Sequence, residues 1–284
     1  MPIIGATLTT CEPLKPIYRE YAECFEKLLR LSTYPLAVKM VEKEEDIPKL
    51  AKRPLRDFGH HMYTCQCFAI ARRNGEMIAQ KQEDMWCFEP AIGYGFTNGN
   101  NEAFNEGLKF FLDGKTRYPS GAKDLATGSK WAYSFPRFEP NKYVAIVIAP
   151  LMRAGFEPDL VVLYINPCQL TQILAGIVFE SGENVNCEIG AHGGCVNYVV
   201  PPMKTGRFWV SCPCFGDQST AVSPFDELVF SAPLAKVEQL LAGMEHRVTY
   251  RGGMPFKYQL EPEGWLPDEY AEIARIMKMH RASV

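Results

Sequence analysis

Leu14, Ile17, Tyr18, Tyr21, Phe25, Leu28 and Leu29 recur at helical spacing, with Arg19, Glu20, Glu23, Glu26 and Lys27 between them. An apolar stripe of that period marks a helix with one buried face, and it predicts an N-terminal helix over 12–31. Pro35 ends the pattern. The apolar run from Leu36 to Val41 then reads as a buried strand with an odd interior Lys39, and Glu44 to Leu50 suits a short helix. Thr64 is placed to cap a helix through Cys65, Cys67 and Ile70 that stops at Asn74 and Gly75. A strand is expected between Glu76 and Met85, with Cys87 directly after it.

Residues 101–112 read as helix, and the Gly, Pro and Ser punctuation from Gly114 to Pro140 reads as a long irregular connection. The apolar, β-branched runs Tyr143 to Ala149 and Asp159 to Ile165 flank a turn-like stretch and are expected to pair as central strands. Pro167 opens a helix carrying Leu170, Ile173, Leu174, Ile177 and Val178, which stops at Ser181 and Gly182. Strands over Arg207 to Cys212 and Leu228 to Ser231, and helices over Pro233 to Met244 and 267–281, complete the pattern. The expected fold is α+β, a single compact unit over 1–284. A faint echo sets Gly75, Cys87 and Gly99 against Gly182, Cys195 and Gly206. It is compatible with two related halves, 32–140 and 141–250, about a pseudo-twofold axis, and equally with coincidence.

Composition narrows the function. With 30 basic and 33 acidic residues the chain has no basic footprint for nucleic acid or an anionic membrane surface. Its start lacks the marks of a signal peptide, and no apolar stretch nears the ~18 residues needed to span a bilayer, so a cytoplasmic setting is expected. A chain of 284 residues can bury enough surface to fold without covalent or metal staples. Its ten cysteines therefore ask for another reason. In a reducing compartment thiols serve as core residues, metal ligands or redox groups.

The densest constellation runs from Gly59 to Cys67, with His60, His61, Cys65 and Cys67. A second pair, Cys212 and Cys214, follows an apolar strand, and Cys87 and Cys195 stand at loop or strand-end positions. Thiolates select zinc, copper(I) or iron–sulfur clusters, whereas the Cys-x-x-Cys pairs of a zinc ribbon are missing from the sequence. His192, set among glycines three residues before Cys195, suits metal ligation, acid–base work or capping. Cys195 or Cys214 also qualifies as a nucleophile if His192 or a helix N-terminus activates it. Walker, Rossmann, His-Glu-x-x-His and serine-elbow motifs do not occur. Trp86, Tyr94, Phe96 and Trp131 suit a pocket wall or ordinary core alike.

The segments Pro35 to Lys39, Pro158 to Gln169, Gly194 with Cys195, and Ser211 to Asp217 together resemble the domain of unknown function 169 family over most of the chain. The resemblance implies a bacterial or archaeal, often anaerobic, setting rather than a reaction. Lys39, Gln169, Cys87, Cys195 and Cys214 match the family pattern, whereas Cys168 replaces a small residue and Gln218 a basic one.

The leading expectation is an iron–sulfur protein whose ligands come from Cys65, Cys67, Cys87, Cys195, Cys212 and Cys214, with zinc or no metal as alternatives. It would act by redox or Lewis-acid chemistry on a small molecule, with His192 and Lys39 moving protons. An electron-transfer or client protein and a homo-oligomer are compatible partners. Two rivals stand beside it: a non-enzymatic ligand-binding or metal-delivery protein, and a metal-free cysteine enzyme.

Overall fold

A computed structural model of the chain describes residues 16–97, 102–112, 122–251, 272–273 and 275–277. Residues 1–254 form one compact unit and 255–284 a second, small one. The expected helix over 267–281 and the part of the first helix before Pro16 lie outside the described residues, apart from a few positions near 275.

The first unit is built on a six-stranded antiparallel sheet ordered β2-β3-β1-β4-β6-β5. Its strands are β1 (Leu36–Val41), β2 (Ile78–Gln80), β3 (Ala145–Pro150), β4 (Leu160–Ile165), β5 (Trp209–Ser211) and β6 (Leu228–Pro233). The fold is α+β, as the segment pattern implies. Every residue of β3 and β4 is buried, which is why these strands read as unbroken apolar runs rather than as an alternation. They are central but do not pair with each other: β1 lies between them, with Ala37 opposite both Ala149 and Val161. The short turn between β3 and β4 invited a hairpin reading. The fit of β1 into the gap overrode it.

One face of the sheet is covered by α1 (Pro16–Leu29), α6 (Pro167–Ser181) and α10 (Val237–Arg251). Phe25, Leu29, Ile173, Phe230 and Leu240 are buried there in one apolar cluster, which supplies hydrophobic stabilisation of order 2 kcal/mol per large side chain. At Gly176 the backbones of α6 and α10 come so close that a Cβ would fall 2.7 Å from Met244 Cγ. Gln169 matters here for packing. Its side chain caps the N-terminus of α6 through Asn166 N and donates to the carbonyl of Leu29 at the end of α1.

The other face carries α2 (Thr64–Asn74), α3 (Phe88–Gly93), α7 (Gly194–Asn197), α8 (Val200–Thr205) and α9 (Phe215–Thr220). Helices α4 (Glu102–Leu112) and α5 (Leu125–Ser134) occupy the stretch before β3. α5 falls inside the connection expected to be irregular; Asp124 caps it by accepting from Thr127 N at 2.8 Å. The expected helix over 44–50 shortens to a single 3₁₀ turn, Glu44–Asp46.

The strand order reads the same outward in both directions. From the centre it runs first, third, second: β1, β3, β2 on one side and β4, β6, β5 on the other. The register repeats too. Ala149 faces Ala37 and Ile148 faces Ile78, just as Ala232 faces Val161 and Ser231 faces Trp209. In each half a helix stops on a left-handed glycine, Gly75 (φ 75°) or Gly206 (φ 63°), shortly before the edge strand. This repetition divides the sheet after β3, between 150 and 160, rather than at 140. It also matches Cys65 with Cys195 and Cys87 with Cys214, instead of Cys87 with Cys195.

Candidate functional site

Four of the six cysteines singled out by sequence meet where the first turns of α2, α3, α7 and α9 converge. Thr64 is the first helical residue of α2 rather than its cap; that place belongs to Tyr63, whose N–H donates to Gln66 Oε1 at 3.0 Å. The Thr64 hydroxyl turns inward and donates to Gln80 Oε1 at 2.8 Å, while Gln80 Nε2 donates to the Met62 carbonyl. This buried chain of bonds fixes the turn that presents Cys65.

Cys87 is the N-cap residue of α3 and Cys214 that of α9. The Cys87 sulfur accepts from the first backbone N–H of the helix that carries Cys65. Thr64 N donates to Cys87 Sγ at 3.5 Å, and the Gly194 N–H comes near enough to favour the Cys214 thiolate. A residue larger than glycine at 194 would not permit this, because its Cβ would lie 3.0 Å from Cys214 N and 2.9 Å from Asp217 Oδ2. Cys195 is the second residue of α7, and its carbonyl accepts from Tyr94 Oη at 2.9 Å. Cys65 Sγ and Cys214 Sγ both lie within 4 Å of the point where a Gly216 Cβ would stand. Cys65 and Cys195 are buried, while Cys87 and Cys214 are half-buried at the solvent edge.

Asp217 completes the group. Its Oδ2 accepts from Cys214 N at 3.2 Å and from Cys214 Sγ at 3.3 Å. Its Oδ1 is buried and has no hydrogen-bond partner. Burial pushes its carboxyl up to about 6, against the bonds from Cys214. The thiols move the same way. Burial, then the Asp217 charge, raises Cys65 and Cys214, the latter to about 12. Burial and Glu89 push Cys87 up to about 12. Cys195 is held well above its ordinary value by burial, with smaller contributions from Cys87, Cys214 and Cys65. At neutral pH all four carry their protons.

The remaining expected site residues are placed differently. Cys67 is fully buried in the core with Phe68 and Met62, behind Cys87, and Cys212 is half-buried just past β5. Lys39 stands on the opposite face of the sheet from the thiols, with Ala37 and Val41, and its Nζ donates to the Glu157 carbonyl at 2.9 Å. His192 lies just before the N-cap of α7, its ring 5.0 Å from that of Trp131. His61, two residues before the N-cap of α2, pairs with Trp86 at the same 5.0 Å. Tyr94 and Phe96 are core.

Asp217 is the site residue that sequence reasoning passed over. Its signal was the acidic side chain three residues after Cys214, at the position from which a carboxylate reaches back to the N-cap amide. Among the described residues no three His, Cys, Asp or Glu side chains are drawn together as a single metal ion would require, and no helix is long and apolar enough to cross a membrane.

These features define an α+β protein with a two-sided cysteine group, two thiols buried and two half-buried. The sequence profile of the domain of unknown function 169 family, described as an uncharacterised ArCR, matches residues 25–243, more than three quarters of the chain. The chain belongs to that family. No curated protein and no solved structure matches it.

Proposed function

We propose that Cys65, Cys87, Cys195 and Cys214 hold an iron–sulfur cluster that gives the protein redox or Lewis-acid activity on a small molecule. The observation that carries this reading is the convergence of four thiols from four separate helix starts, two from each half of the sheet. Cluster cysteines are commonly drawn from distant points of a chain, and hydrogen bonds to their sulfurs tune the potential. Here Thr64 N is such a donor.

Two features favour a cluster over the rivals. A reactive nucleophile needs a depressed thiol pKa, whereas all four are raised by burial; a metal would displace those protons on binding. A single zinc ion needs its ligands drawn tightly around one point, whereas a cluster fills the middle with its own atoms and spaces its thiolates more widely. His192, beside Cys195 in sequence, is the proposed proton carrier; Lys39, on the other face, has no such role.

A second reading, delivery of electrons or metal to a client protein, is favoured by the rim. Trp86 and Phe215, the chain neighbours of Cys87 and Cys214, are 64% and 57% exposed.

Protein purified without oxygen tests the proposal. Brown colour with stoichiometric iron and acid-labile sulfide is expected, and both are lost in Cys65→Ser, Cys87→Ser, Cys195→Ser and Cys214→Ser but kept in Cys212→Ser. Folded protein that takes up neither iron nor sulfide on reconstitution would overturn it.

A further inference from the structure

The geometry points to a second binding site, a cavity that takes a small monocarboxylate with an apolar body about the size of one ring. It lies between the turn that leads into β3 and the end of α8, shares no residue with the thiol group, and does not rest on the cluster reading. Its volume is about 200 Å³, and it is lined by Phe138, Glu139, Lys142, Tyr143, Met203 and Lys204.

The turn that forms one wall is held by its backbone. Phe138 N donates to the Gly93 carbonyl at 2.9 Å and Asn141 N to the Gly95 carbonyl at 2.7 Å, which ties the turn to the end of α3. Gly95 and Asn141 both have left-handed backbone, with φ of 72° and 62°. At Gly95 a Cβ would fall 2.4 Å from the Glu139 carbonyl oxygen, so only glycine lets the two segments approach this closely. A wall fixed in advance leaves little ordering to be done when a ligand binds.

The lining divides by chemistry. Phe138 and Tyr143 are almost wholly buried, with their rings edge to face at 4.9 Å, and Met203 packs against the same core cluster. This surface suits a flat hydrocarbon. The cationic part comes from two elements, Lys142 from the turn and Lys204 from α8. Lys204 Nζ gives one of its three protons to the Arg137 carbonyl at 3.1 Å, which places the ammonium and leaves two donors. Lys142 Nζ stands 5.0 Å from the centre of the Tyr143 ring, and its ion pair with Glu42, at 3.9 Å, is long and exposed. Such a pair holds little energy, so Lys142 can turn to a ligand carboxylate.

Charge and size then select the ligand. Two ammonium groups against the single Glu139 carboxylate favour one negative charge over two. A cavity of about 150 Å³ is enough for benzene, so about 200 Å³ leaves room for one carboxylate besides.

The test titrates the full-length protein with benzoate, followed by equilibrium dialysis and saturation-transfer NMR. Saturable binding at one site per chain is expected. Benzamide, which keeps the ring and loses the charge, should bind roughly tenfold more weakly, and Lys142→Gln and Lys204→Gln should each weaken benzoate about two- to fivefold. Met203→Trp, which fills the cavity, should abolish binding with an unchanged circular dichroism spectrum. Wild type with no saturable binding up to about 10 mM benzoate overturns the proposal. Full binding by a folded Met203→Trp, or benzamide bound as tightly as benzoate, overturns it too. Should Met203→Trp fail to fold, the two exposed lysines decide: a double variant, Lys142→Gln with Lys204→Gln, that binds benzoate as wild type does overturns the proposal. None of these results depends on iron content, so they leave the cluster reading untouched.

Discussion

The two faces of the sheet are buried to a similar degree and filled with different chemistry. Against α1, α6 and α10 the filling is aliphatic and aromatic, with Phe25, Ile173 and Phe230 at its centre. The other face buries Thr64, Gln80, Arg72, Asp217 and Ser231 among its apolar residues, together with Cys65 and Cys195, and carries Cys87 and Cys214 half-buried. The partnerless buried atoms of Arg72, Trp209, Ser211 and Asp217 also belong to this side. Native proteins keep such atoms rare, and here four of them gather on the side of the sheet that carries the thiols.

The largest effect should come from breaking the first face. Phe25→Ala removes a fully buried ring and is expected to cost about 3–5 kcal/mol, read by urea denaturation, while the folded fraction still takes up iron. On the second face the leading effect is electrostatic. Asp217 has its carboxyl raised from 3.8 to about 6, so the folded state binds this proton more tightly than the unfolded chain does. The metal-free protein should therefore lose about 3 kcal/mol of stability as pH rises from about 3 to about 7, and Asp217→Asn should flatten that slope. An unchanged slope in the variant would remove Asp217 from the account.

Smaller effects sharpen the contrast. Cys65→Ser in the metal-free protein should change stability by about 1 kcal/mol or less, yet abolish cluster uptake in the anaerobic reconstitution. Smallest of all, His192→Ala should alter the melting free energy by no more than about 0.5 kcal/mol and leave iron content intact. If turnover of an identified substrate survives that change, His192 is no proton carrier and the rim reading gains.

The strands and long helices of this fold are plain in the sequence because their signals are local. Leu36 to Val41 matches β1 residue for residue, and the Asn74–Gly75 stop matches the end of α2. Partners are less legible. β3 and β4 are separated by one short turn, but the strand between them was made long before either. Short helices such as α7 and α9, with 4 and 6 residues, are too brief for a 3.6-residue period to register. The same limit governs the site. Cys65 and Cys67 look equivalent as a pair, but two residues apart on a helix they point to different sides. One meets Thr220 Oγ1 at 3.3 Å near the other thiols, and the other packs in the core. Helical phase, more than residue type, decides which thiols come together.

The central place of β1 also has a kinetic side. During synthesis Leu36 to Val41 leave the ribosome early, but β3 begins only at Ala145 and β4 at Leu160. At about 5–20 residues per second the segment waits on the order of ten seconds for either neighbour. An apolar strand with both edges bare is a template for aggregation. Lys39 interrupts that run at its middle and reaches the Glu157 carbonyl once the chain has closed. A charge at such a place acts as a gatekeeper, guarding the nascent protein at a moment when there is as yet no site to serve.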